Sequence, residues 1–195
     1  MNISFDLDGV LYPFTKVCYD YLQIHHGIKE DYDTFWKKTW RSYSELHREN
    51  IVGIRSLYEK VPINPTVKSR LDYLATYNQI FYITSRSKDL KFVTEKWIKR
   101  YSLPYPENVV FNGSKLPAVI ENNIDVHVDD QLKYLEELEG YCERILIAHP
   151  WNEAGQGILR TYNTVLEYLD ELCVETYNYD RSDFLYDSYR ERGLL

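Results

Sequence analysis

Cysteine is scarce: Cys18, Cys142 and Cys173 are the only three in 195 residues, and no two share a CxxC spacing. An odd, scattered set of this kind argues against a disulfide framework or a zinc site and fits reduced thiols. Long apolar runs are missing as well. No uncharged stretch reaches the ~18 residues that would span a bilayer. The N-terminus, MNISFDLDGVLYPF, carries acids inside its apolar run and has no basic flank, unlike a signal peptide. The expectation is a cytoplasmic protein with no membrane partner. Positive charge is in deficit, with 23 Lys and Arg against 30 Asp and Glu and a formal net charge of −7. Loose binding along a nucleic-acid backbone needs a basic footprint, so long nucleic acid is disfavoured as a partner, while one basic pocket for one phosphate stays open. Internal repeats and low-complexity runs are absent too.

What is present suits a folded chain. With 44% hydrophobic and 27% charged residues it can bury a normal core, and its length fits one domain, or one domain with a small insertion. Aromatic residues are abundant: 19 Tyr, seven Phe and four Trp make up 15% of the chain. Short β-branched or aromatic runs at 2–6, 79–84, 108–112, 125–129 and 144–148 read as strands. Helical patterning at 88–101, 115–122 and 131–139 alternates with them. That alternation predicts an α/β fold, a Rossmann-like parallel sheet with helices on both faces.

The first crossover is too long for one helix, because 72 residues separate Asp6 from Gln79. Residues 14–26, 31–48 and 51–61 carry helical spacing, with Asp31 or Asp33 as a cap for the second. Residues 61–65 punctuate with two prolines, and 66–77 reads as the helix returning to the sheet. The expected organisation is a core of 1–13 and 63–173, a small helical cap at 14–62 inserted after the first strand, and a Tyr-rich tail or helix at 174–195. Residues 160–173 read as helical. The tail could pack on the body or bind a partner subunit, for example in a homodimer.

The chemistry concentrates at strand ends. Asp6 and Asp8 stand at i, i+2 where the first strand becomes a loop, and Gly9 permits an unusual backbone turn there. Asp129 and Asp130 close a later strand. In a parallel sheet, ligands bind at the carboxyl ends of strands, near the point where strand order reverses. Four acids gathered there would raise one another's pKa unless a hard cation neutralised them, and an oxygen-only ligand set suits Mg²⁺. Taken singly, either pair could instead cap a helix or sit in a solvated loop. Thr84 and Ser85 end the second strand just before a helix, where they could form an anion site or merely cap that helix. Lys115 opens the helix before the fourth strand and could reach a phosphate, with Lys91 as a rival. The spacing of His25, His26 and His47 does not match that of metal ligands, and His127 reads as packed in the sheet.

Together these segments resemble the haloacid dehalogenase superfamily. Phe5 to Val10 match its hydrophobic-Asp-x-Asp-Gly-Thr/Val motif, Thr84 its strand-end hydroxyl, Lys115 its lysine, and Asp129–Asp130 its acidic pair. The resemblance implies that Asp6 is the nucleophile and Asp8 the general acid and base. It also implies Mg²⁺ held by Asp6, the backbone carbonyl of Asp8, Asp129 and Asp130, with phosphate held by Thr84, Ser85, Lys115 and Lys91. Within the superfamily the dehalogenases lack the second aspartate, so its presence points to phosphatase or phosphomutase chemistry. The 5′(3′)-deoxyribonucleotidase group is similar in three further respects. A Phe follows its nucleophile by eight residues, as Phe14 follows Asp6, and Phe-Trp in its cap compares with Phe35–Trp36. Its Thr-Ser-Pro compares with Thr84–Ser85–Arg86, arginine standing for proline. His149–Pro150–Trp151–Asn152 resembles more loosely a Pro-aromatic-Asn segment of bacterial relatives.

The resulting expectation is a Mg²⁺-dependent 5′-nucleotidase for nucleoside monophosphates, with Tyr12, Phe14, Phe35, Trp36 and Trp40 as walls of a base pocket or as the core of the cap. The alternatives are a phosphatase for nucleic-acid 3′ ends, sugar phosphates or another small metabolite, and a non-catalytic nucleotide-binding protein.

Overall fold

The computed structural model describes residues 1–39, 56–59 and 61–191. Six strands form one sheet: β1 (Asn2–Phe5), β2 (Gln79–Thr84), β3 (Val109–Phe111), β4 (Val126–Asp129), β5 (Glu143–Ile147) and β6 (Arg160–Tyr162). Their order is β3-β2-β1-β4-β5-β6, and every pairing is parallel. The chain builds outward from β1 to β2 and β3, then crosses back to lay β4 on the other side of β1. The loops leaving β1 and β4 therefore part in opposite directions, and a crevice opens between them at the carboxyl edge.

Side chains alternate across the sheet with period two, which sorts the core into two layers. Ile3, Phe5, Ile80, Tyr82, Val126, Val128, Ile145 and Ile147 belong to the larger cluster. It includes buried residues of α1 (Phe14–His26), α4 (Pro65–Leu74), α5 (Lys91–Arg100) and α8 (Val165–Glu191). Phe81 and Ile83 point the other way, to a smaller cluster with Ala118 and Val119 of α6 (Leu116–Glu121), while α7 (Leu132–Glu137) follows β4. Both faces of the sheet are thus covered by helices, as the sequence predicts. No described helix is long and apolar enough to cross a membrane.

Local signals explain most boundaries. α1 ends at Gly27, which takes a left-handed φ of 68° that favours glycine. Asp31 rather than Asp33 caps the short helix α2 (Tyr32–Thr34), accepting from Thr34 N at 2.9 Å, and a π-helical turn at Phe35–Thr39 follows. The short helix α3 (Ser56–Glu59) packs against α5. α4 starts with Asn64 accepting from Thr66 N and with Pro65 in its first turn. The 66–77 reading thus runs a few residues past the observed end.

The helical reading of 160–173 is corrected. Arg160–Tyr162 extends beside Ile145–Ile147 as a sixth strand, so pairing at the sheet edge overrides the local pattern. α8 begins only at Val165, behind Thr164, whose hydroxyl accepts from Glu167 N at 3.3 Å while the Glu167 carboxylate accepts from Asn163 N at 2.9 Å. The helix then runs unbroken to Glu191, into the Tyr-rich tail.

Candidate active site

The ends of β1 and β4 bring Asp6, Asp129 and Asp130 together, with one carboxylate oxygen of each inside a span of 4.8 Å. All three are buried. Lys115, at the residue before α6 and with no exposed surface, donates to Asp6 Oδ1 and to the Ile83 carbonyl, and lies 3.4 Å from Asp129 Oδ2. One cation thus faces three acids.

The charge imbalance shows in the titration of the groups. Burial pushes Asp6 up to about 7; Lys115 opposes the rise, and Asp129 and Asp8 add to it. Burial, then Asp129 and Asp6, pushes Asp130 well above the usual carboxylate range. Burial would also raise Asp129, yet Lys115, the His127 hydrogen bond and the Gln131 N–H outweigh it and hold that carboxyl low. The Lys115 ammonium is held above its usual range by Asp6 and Asp129 despite burial.

Behind Asp129 lies a buried polar chain. His127 Nε2 sits 3.1 Å from Asp129 Oδ2, and its Nδ1 is 2.7 Å from Ser4 Oγ. A carboxylate only accepts, so Nε2 carries the proton and Nδ1 accepts from the Ser4 hydroxyl. Burial holds this imidazole below its usual pKa, in the neutral form. The sequence placed His127 in the sheet without assigning it a partner.

Asp130 is held asymmetrically. Oδ2 accepts from Gln131 Nε2 at 2.8 Å and from Trp151 Nε1 at 3.0 Å. Oδ1 is buried with no hydrogen-bond partner among the described residues. Gly9 presses on this carboxylate: at φ 85°, a Cβ added there would lie 2.7 Å from Asp130 Oδ2. An oxygen-only cluster with excess negative charge and one bare oxygen fits a hard divalent cation such as Mg²⁺. Asp6, Asp129 and Asp130 are the residues that would hold it.

Asp8 is engaged elsewhere. Arg86, whose side chain is 2% exposed, forks it: Nε to Oδ2 at 2.9 Å and Nη2 to Oδ1 at 2.5 Å. Nη1 reaches Thr94 Oγ1 at 3.1 Å, and the guanidinium lies 4.8 Å from the centre of the Tyr12 ring and 4.9 Å from that of Tyr58. In the sequence Arg86 stands out only as a departure from proline. A cation directly after a strand-end hydroxyl pair, in a chain rich in acid, was the available signal.

The remaining expected phosphate ligands separate. Thr84 is buried at the end of β2, its hydroxyl accepting from Arg86 N at 3.2 Å. Ser85 is exposed, and Ser87, not Thr84 or Ser85, caps the helical turn that follows. Lys91 lies on the exposed side of α5, 3.7 Å from Glu95, and among the described residues it makes no hydrogen bond or ion pair with the clustered carboxylates. Of the two lysines, the structure brings only Lys115 to the cluster.

The aromatic candidates are mostly interior. Tyr12 is wholly buried, donates its hydroxyl to the Leu57 carbonyl and meets the Trp97 ring edge-on at 5.1 Å. Phe14 stacks on Tyr58 at 5.1 Å. Phe35 and Trp36 pack on each other at 5.1 Å, with Tyr19 beside Phe35 and Trp151 beside Trp36. Trp40 lies outside the described residues. A cavity of about 730 Å³ opens beside the loop Gly9–Pro13, with Tyr32, Ile63 and His149 in its wall; of the five aromatic candidates, Tyr12 lines it.

No protein-family model matches the chain. A nucleotidase of Clostridium acetobutylicum is 23% identical to it over 171 residues, covering 84% of this chain and 89% of that protein. Among solved structures, a HAD family hydrolase from Deinococcus radiodurans, determined with bound phosphate and sodium, matches with a TM-score of 0.60 at 12% identity. The match covers 89% of this chain and 95% of the other. A HAD-superfamily hydrolase from Geobacter sulfurreducens matches with a TM-score of 0.56 at 16% identity, covering 87% and 97%.

Proposed function

On a haloacid dehalogenase-type hydrolase fold, we propose that this chain is a Mg²⁺-dependent phosphatase for small phosphate monoesters, with nucleoside 5′-monophosphates as its substrates. The observation that carries the reading is the cluster at the strand-order reversal: Asp6 held by a buried lysine, beside two further acids, one with a bare oxygen. The name of the Clostridium relative supports the nucleotide class, and the phosphate bound by the Deinococcus hydrolase supports a phosphate ester.

Asp6 attacks phosphorus, the P–O bond to the leaving alcohol breaks, and Asp8 gives its proton to the departing oxygen. Water then attacks the aspartyl-phosphate, Asp8 takes the proton back, and the bond from phosphorus to Asp6 breaks. Lys115 faces charge developing on the transferring group and holds Asp6 in line, and Thr84 stands at the strand end where an equatorial oxygen would lie. Mg²⁺, when bound by Asp6, Asp129 and Asp130, supplies neutralising charge to the nucleophile and the phosphate. The segment 14–62 acts as the cap that selects the ester.

Purified protein with Mg²⁺ should release phosphate from a panel of ribo- and deoxynucleoside monophosphates, and Asp6→Asn should lower kcat by at least about 10³-fold. Retained turnover in D6N would refute the nucleophile. A preference for sugar phosphates or oligonucleotide 3′ ends would move the substrate class. Nucleotide binding without phosphate release from any substrate would make the chain a binding protein.

A further inference from the structure

Asp130 is gripped by a loop distant in sequence from both acidic pairs. After β5, the segment His149–Pro150–Trp151–Asn152 turns back over the carboxyl edge of the sheet. Its contacts fall on both walls of the candidate cation site. Trp151 Nε1 donates to Asp130 Oδ2 at 3.0 Å. Asn152 Nδ2 donates to the main-chain carbonyls of Asp130 and Ile147, both at 2.8 Å. His149 Nε2 is 2.7 Å from the Gly9 carbonyl, so that nitrogen carries the proton and ties the loop to the one bearing Asp6 and Asp8. The Trp151 ring is fixed in turn, stacked on His149 at 4.2 Å with 8° between the planes.

We propose that Trp151 is a positioning residue for the cation site: its indole N–H, together with the Gln131 side-chain amide, pins Oδ2 of Asp130 and leaves Oδ1 as the oxygen that meets the cation. The inference deepens the reading of the carboxylate cluster as a cation site and rests on it. Both donors converge on one oxygen, and the close approach of Gly9 to the whole carboxylate leaves it little room to turn. The other oxygen is buried and bare. Rotating the carboxylate would strip two hydrogen bonds from a buried acid, so the donors select one presentation. Partners that orient a metal ligand from outside commonly change affinity 10–100-fold when removed.

The test is a Mn²⁺ titration of the full chain without substrate, read by calorimetry or by the electron paramagnetic resonance of free Mn²⁺. Trp151→Phe keeps an aromatic ring on His149 but removes the donor, and should weaken Mn²⁺ binding about ten-fold or more, with an unchanged circular dichroism spectrum. Trp151→Tyr, a second variant without the indole N–H, should show the same loss if the first does not fold. Binding within two-fold of the unmodified chain in a folded Trp151 variant, while Asp130→Asn loses affinity, would overturn the inference alone. Unchanged binding in D130N, or no binding by the unmodified chain, would overturn the cation-site reading together with it.

Discussion

Arg86 shows how much one side chain can redirect a familiar constellation. Where the deoxyribonucleotidase pattern has proline, this chain has a guanidinium that takes both oxygens of Asp8 and is flanked by the rings of Tyr12 and Tyr58. In the proposed reaction, Asp8 must turn at least one oxygen toward the leaving group, so the fork sets the position from which it starts. Lysine in its place would keep the charge but lose the planar fork and the flat face. Arg86→Lys should therefore lower kcat for phosphate release by about 10²-fold, the scale of a lost general acid–base contribution. Mn²⁺ affinity should stay within two-fold, because Arg86 contacts none of the three clustered carboxylates. Equal kcat in R86K and the unmodified chain would make the fork purely structural.

At the scale of elements, β1, β2 and β4 were readable because their apolar runs end in chemically distinct residues. β6 was not, since a three-residue strand carries too few side chains to show a period, and only its place beside β5 makes it extended. Thr164–Val165–Leu166–Glu167 is a capping pattern that would have set the start of α8 correctly. That helix packs into the larger core layer beside α4. Its first turns bury Val165, Tyr168, Leu169 and Leu172, and Asp170 pairs with Arg70 of α4 at 2.6 Å. Leu169 has no exposed surface, so Leu169→Ala should cost about 2–5 kcal/mol through lost burial and a residual cavity. Urea denaturation measures this, and a loss below about 1 kcal/mol would mean that α8 relaxes into the space. The exposed pairs of Arg160 with Glu143 and Glu171 should contribute far less.

For the whole molecule, the reversal of strand order at β1 decides where chemistry can gather. Asp6 and Lys115 are 109 residues apart, yet they touch because β1 lies between β2 and β4 while α6 leads back from β3 into β4. The sequence showed each acid at a strand end, which sufficed to expect a cluster. It could not show that Arg86 takes Asp8, that Trp151 holds Asp130, or that Lys91 faces outward, because those depend on loop paths that no local pattern encodes. The cluster also makes a prediction about the folded state as a whole. Three buried acids against one lysine repel one another, and a divalent cation binds them only in the native arrangement, so its binding free energy adds to stability by mass action. At a Mg²⁺ concentration near 100 times Kd the gain is about 2.7 kcal/mol, which for a chain of this length is a rise of roughly 5–10 °C in Tm. Scanning calorimetry in excess Mg²⁺ and in chelator should show that difference for the unmodified chain and lose most of it in Asp130→Asn, whose amide replaces one charged ligand. An equal Tm with and without Mg²⁺ in the unmodified chain would mean that the acids are balanced by Lys115 and protons alone.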